Sequence, residues 1–171
     1  MKLLSFVVFA NIGLLLMSCQ KNKISNSPPY SVAVSILVEN AQGQNLLAPT
    51  VPGYFKDGEI KKYDLVNGQA KLYYDGKLDW SNGYHIVTPK EMSNLNSNYY
   101  LTVVPNIESK DNPTTTYIDW GNGDKDTLVC DIKKNAEGYY YHTLNVWFNG
   151  DKVWPEKAIS GIGDRSFKIV K

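Results

Sequence analysis

The sequence is poor in the residues from which most catalytic and metal sites are built. It holds two histidines, His85 and His142, and two cysteines, Cys19 and Cys130. Neither histidine stands in a zinc-binding spacing such as H-E-x-x-H, and no G-x-S-x-G elbow is present to expose a nucleophilic serine. Gly161-Ile162-Gly163-Asp164-Arg165 supplies two glycines of a dinucleotide fingerprint without the third and without a following helix, so it reads as a loop. An excess of one charge is missing too. The 18 basic and 17 acidic residues are interspersed, which excludes the electrostatic footprint of a nucleic-acid binder. No repeat at a fixed period is visible, which argues against a propeller or solenoid. These absences assign no catalytic residue and favour a non-enzymatic protein.

What is present begins at the N-terminus. Met1 and Lys2 precede an apolar run from Leu3 to Met17, and the polar stretch Gln20 to Lys23 follows at once. A membrane-spanning helix needs about 20 apolar residues, so the run reads as a secretory signal, residues 1–18, rather than a retained anchor. Leu16-Met17-Ser18-Cys19 resembles the bacterial lipobox. The resemblance implies that the Cys19 thiol is alkylated with diacylglycerol and becomes the first residue after cleavage. Acyl chains contribute about 0.8 kcal/mol per buried methylene, so two or more hold a protein stably on a membrane. Cys19 is therefore the expected lipidation site, and Cys130 is left as a lone thiol. Leu128, Cys130 and Ile132 alternate with Val129 and Asp131, which places Cys130 on a buried strand face. With Lys2 removed, the mature chain carries 17 basic against 17 acidic residues.

Residues 19–29, ending in Pro28-Pro29, read as the lipidated cysteine and a flexible tether, and residues 30–171 as one domain. Nearly every ordered-looking stretch of that domain alternates. Val32, Val34, Ile36 and Val38 share one face, and EIKKYDLV and QAKLYY flank Asn67-Gly68, a dipeptide suited to a two-residue hairpin. Tyr84 to Thr88, Tyr99 to Val104, Thr114 to Trp120, Thr127 to Ile132, Tyr139 to Phe148 and Ser166 to Val170 continue the series. Pro89 to Asn94 offers at most one helical turn, with Thr88 as its cap. About nine strands separated by Gly, Asn, Asp and Pro clusters predict an all-β chain folded as an antiparallel β-sandwich.

Four stretches, namely Cys19, GQNLL at 43–47, TYIDWGNGDKDTL at 116–128 and the late VWFNGDKV, are similar to small envelope lipoproteins common in Bacteroidetes. That resemblance implies an Ig-like or transthyretin-like sandwich and a lipid-anchored place in the outer membrane; it brings no activity or catalytic residues to carry over. Some such lipoproteins bound for the outer face carry acidic residues just after the cysteine. Gln20, Lys21, Asn22 and Lys23 supply none, which favours a periplasm-facing domain over a surface-exposed one.

Three stretches are candidate sites. Asp119, Asn122, Asp124 and Asp126 offer hard oxygens of the kind calcium takes, although their order is not that of an EF-hand; a hairpin loop explains the same residues. No other metal or cofactor is indicated. Asp126-Thr127-Leu128 resembles the acceptor pattern of Bacteroidetes O-glycosylation, which makes Thr127 a candidate for a bulky, solubilising sugar. In the stretch from Tyr139 to Phe148, one face reads Tyr139, Tyr141, Thr143, Asn145, Trp147 and the other Tyr140, His142, Leu144, Val146, Phe148. The second reads as core, and the first as a partly wet face on which Tyr139, Tyr141 and Trp147 form a candidate binding platform. The expectation is a membrane-anchored binding or accessory module for a protein or glycan. The alternatives are a structural component of an outer-membrane assembly and, below both, a hydrolase, which would need His85 or His142 beside a carboxylate in a cleft.

Overall fold

The computed structural model describes residues 32–91, 97–134, 141–159 and 165–171. The signal segment, Cys19, the tether, Tyr139 and the loop at 161–164 lie outside these. The described chain is all-β, ten strands in two sheets, with a single 3-10 turn at Asp57–Glu59. In chain order the strands are β1 (Val34–Glu39), β2 (Lys61–Val66), β3 (Gln69–Leu72), β4 (Tyr84–Val87), β5 (Tyr100–Val103), β6 (Thr114–Asp119), β7 (Lys125–Lys134), β8 (Tyr141–Phe148), β9 (Asp151–Trp154) and β10 (Ser166–Val170). The four-stranded sheet runs β10-β1-β5-β4 and the six-stranded sheet β3-β2-β6-β7-β8-β9. Every ladder is antiparallel except β1 with β10, which is parallel.

Period-two patterning decides which residues enter the space between the sheets. Val34, Ile36 and Val38 are fully buried from one sheet, and Leu128, Cys130, Val146 and Phe148 meet them from the other in one continuous cluster. Each such side chain, removed from water, contributes about 1.5–3 kcal/mol. Phe148 and Phe167 bridge the sheets with ring centroids 5.5 Å apart, and the Thr143 hydroxyl donates to the Val32 carbonyl at 2.9 Å. Cys130 is a free, buried cysteine, and burial pushes its thiol up to about 12, so it packs as a small apolar side chain.

Asn67-Gly68 forms the expected hairpin, with φ of 52° and 76°. Asn149-Gly150 repeats that geometry at 51° and 87° and turns β8 into β9. The strand series read from the sequence omits β9, because DKVW is short and half charged; only Val153 of it is buried.

The register of β7 on β8 corrects the face assignment of the aromatic stretch. Asp131 pairs with Asn145 but Ile132 pairs with Thr143, so a bulge leaves Leu144 as the extra residue. One inserted residue exchanges the two faces of everything beyond it. Val146 and Phe148 do point inward, yet so does Thr143, and Tyr141 packs against the core. His142 and Leu144 are the exposed ones. Tyr141 and Trp147 therefore lie on opposite faces and form no common platform.

Candidate functional site: a cleft beside a buried ion pair

In Lys61-Lys62-Tyr63-Asp64, alternation turns Lys62 and Asp64 inward together. Both are almost wholly buried, at 2 % and 4 % exposure. A charge in that position needs a partner. The Lys62 ammonium donates to Asp64 Oδ2 at 2.8 Å, and the Thr116 hydroxyl across the β2/β6 ladder donates to Asp64 Oδ1 at 2.9 Å. Tyr73, just past β3, extends the ladder by donating its amide to the Lys62 carbonyl, and its ring lies under the ammonium with the centroid 3.9 Å away. Burial lowers the pKa of Lys62 while Asp64 opposes the shift. Gly83 closes over this pair: a Cβ there would stand 2.7 Å from the Tyr73 ring and 2.9 Å from the Lys62 stem, and its φ of +72° is itself left-handed.

Lys62 and Tyr73 form part of the wall of a cavity of about 740 Å³, between the segment following β3 and the segment following β5. This falls within the range that small-molecule sites occupy, about 300–1,000 Å³. Tyr74 and Trp80 are further aromatic walls, Val104 and Ile107 apolar ones, and Asp75, Asn106 and Glu108 bring polar groups. A smaller hollow of about 370 Å³ adjoins it along Tyr73, Trp80 and Gly83. Two of the large hydrophobic residues left most open to water, Tyr74 at 71 % and Leu78 at 52 %, line this cleft from one short stretch. Exposure of that kind, gathered in one place, marks a contact surface.

Trp80 is held from behind. Its ring stacks on His85 with centroids 5.3 Å apart and planes 15° from parallel. His85 Nε2 lies 2.8 Å from Glu91 Oε1, and Glu91 Oε2 accepts the Thr88 amide at 2.7 Å, which is the reciprocal half of a capping box. The Thr88 amide, then the His85 bond, holds the Glu91 carboxyl down at about 2. A histidine does stand beside a carboxylate. The hydrogen bond that His85 makes among the described residues goes to Glu91, and no serine, threonine or cysteine is bonded to the ring, so the nucleophile of a triad is not assembled there. His142 is exposed on β8.

The calcium candidates are brought together differently. Asp126 accepts the Trp120 indole N–H at 2.7 Å and the Asn149 amide at 2.7 Å, and it pairs with the Lys171 ammonium. Asp124 takes the same ammonium at 2.6 Å. Asp119 accepts the Gly121 amide and pairs with Lys125, and Asn122 accepts the Asp124 amide. The oxygens that would ligate a cation are directed to donors of the hairpin itself and to Asn149 and Lys171, and among the described residues no three His, Cys, Asp or Glu side chains are grouped to hold a metal. Thr127 lies on the outward face of β7, half-buried opposite Tyr117, its amide bonded to Asn149 Oδ1 at 2.8 Å.

No protein-family model, no curated protein and no solved structure matches the chain. The cleft residues Lys62, Tyr73, Tyr74, Asp75 and Glu108, with Asp64 behind them, are those that sequence reasoning passed over. The available signal was the strand KKYDL, where both faces carry polar residues and an inward pair must therefore find a structural or binding purpose.

Proposed function

We propose that this chain is a lipid-anchored envelope protein, attached to the outer membrane through Cys19 and facing the periplasm, whose β-sandwich binds a glycan without acting on it. The observation that carries the reading is the cleft: aromatic faces from Tyr73, Tyr74 and Trp80 beside the polar groups of Asp75, Asn106 and Glu108. Sugar rings present apolar C–H faces and a rim of hydroxyls, and the same wall offers a surface for the first and acceptors for the second. The test is retention of the mature protein, in detergent, on a panel of immobilised neutral and charged oligosaccharides. Trp80→Ala is expected to lower affinity about tenfold with an unchanged melting temperature; retention on none of the panel overturns the reading.

A second reading, assembly with an envelope protein, has its own support on the outer face of the six-stranded sheet. There Leu72 pairs with Tyr63, Tyr63 with Tyr117, and Val129 with Trp147, giving an apolar, aromatic strip. Co-purification of a stoichiometric partner from solubilised membranes, lost on Tyr117→Glu, would favour it. A sugar on Thr127 would stand on that same face, and intact mass of the peptide holding Thr127 from the native host decides whether it is present.

A further inference from the structure

We infer that the ligand bound in the cleft carries a positive charge, and that its class is an amine-bearing saccharide rather than a neutral one. The inference rests on the glycan reading above and specifies it. The formal charges on the cleft wall are Lys62 on β2, Asp75 on the segment following β3 and Glu108 on the segment following β5. Lys62 is already matched by Asp64 at 2.8 Å behind the wall, so its charge is compensated within the fold. Neither Asp75 nor Glu108 pairs with a cation among the described residues. Among the described residues two carboxylates thus stand without an ionic partner at a concave, aromatic surface, Asp75 Oδ1 accepting the Lys77 amide at 3.0 Å.

Such a surface favours a cation twice, by the carboxylates and by the negative faces of the rings. Lys62 shows the chemistry inside the protein itself: an ammonium 3.9 Å from the Tyr73 centroid with a carboxylate 2.8 Å away. Tyr74 and Trp80 with Asp75 and Glu108 offer the same combination to a group entering from solvent. The same carboxylates act on the Tyr73 phenol. Its pKa is raised by burial first and then by Asp75, Asp64 and Glu108, so three carboxylates act on one ring.

The experiment compares three oligosaccharides of equal length that differ only at one substituent: β-1,4-linked glucosamine, its N-acetylated form, and glucose. Calorimetric titration into the full mature protein in detergent, at mildly acidic pH and low salt, is expected to give about tenfold tighter binding of the glucosamine oligomer. Asp75→Asn with Glu108→Gln is expected to reduce that preference to about twofold or less, with the melting temperature unchanged. Both substitutions conserve shape at partly or fully exposed positions, so folding is preserved. Equal or tighter binding of the neutral oligomers overturns the inference while leaving the glycan reading intact. Binding of none of the three overturns the inference, and retention on none of the wider panel overturns the glycan reading with it.

Discussion

Two of the lysine–aspartate constellations in this sandwich, those of Lys62 and Lys171, differ in what lies beyond them. At the β6/β7 hairpin, Lys171, Asp124, Asp126, Trp120 and Asn149 bond to one another and the polar groups are used up internally. On the inner face of β2, Lys62, Asp64 and Thr116 are equally well bonded, but the lysine and the ring beneath it form one wall of a large open cavity. The hairpin is the densest polar stretch in the sequence and yet is closed. The β2 strand is inconspicuous and yet borders the cleft. Density of polar residues along a chain says how a turn is satisfied, whereas a site requires convergence from several elements onto unfilled space.

Breaking each constellation at its aspartate sharpens the contrast. Asp64→Ala leaves the Lys62 ammonium buried without a counter-charge, and a loss of about 3–5 kcal/mol in denaturant unfolding is expected. Lys62→Met combined with Asp64→Leu removes both charges and is expected to recover most of that loss. A single-variant loss below about 1 kcal/mol would mean that water reaches the pair. At the hairpin, Asp126→Ala removes the acceptor for Trp120, Asn149 and Lys171 together, and about 2–3 kcal/mol should go with it. If the hairpin's oxygens are committed as described, added calcium leaves the melting temperature of the parent protein unchanged; a calcium-dependent rise would show that they open to a cation.

The strands themselves were legible, because a sheet buried on one face writes its alternation into the sequence. Val34, Ile36, Val38 and Leu128, Cys130, Ile132 fall on the core side as that alternation requires. The hairpin at Asn67-Gly68 was equally legible, since few dipeptides accept two positive φ angles. What escaped was set by register between strands. The bulge opposite Asp131 is a property of the β7/β8 pair, and no local pattern in Tyr139 to Phe148 announces it. The parallel pairing of β10 with β1 and the cleft between two segments far apart in sequence are likewise relations between elements. Leu144 tests the first of these. Alternation alone would bury it, but the bulge leaves it 41 % exposed, so Leu144→Ser is expected to change stability by no more than about 0.5 kcal/mol. A cost of about 2 kcal/mol or more, the range for a buried leucine, would restore the unbulged register.

The smallest effect belongs to the support behind Trp80, because Glu91 is exposed and solvent screens its interactions. Its carboxyl is held at about 2 against an ordinary value of 4.5, so the folded state binds its proton less readily than the unfolded chain does. The stabilisation is therefore complete above about pH 4.5 and is lost as pH falls from there towards about 2. In an NMR titration the Glu91 carboxyl midpoint should lie near the lower value, and Glu91→Gln should flatten that segment of the stability curve. His85→Ala should raise the midpoint only part of the way, since the Thr88 amide is the larger cause and survives the substitution. A full return to 4.5 in His85→Ala would assign the shift to the imidazole instead. Trp80 would then rest on a histidine that orders Glu91, rather than on a carboxylate, fixed by the backbone, that orders the histidine.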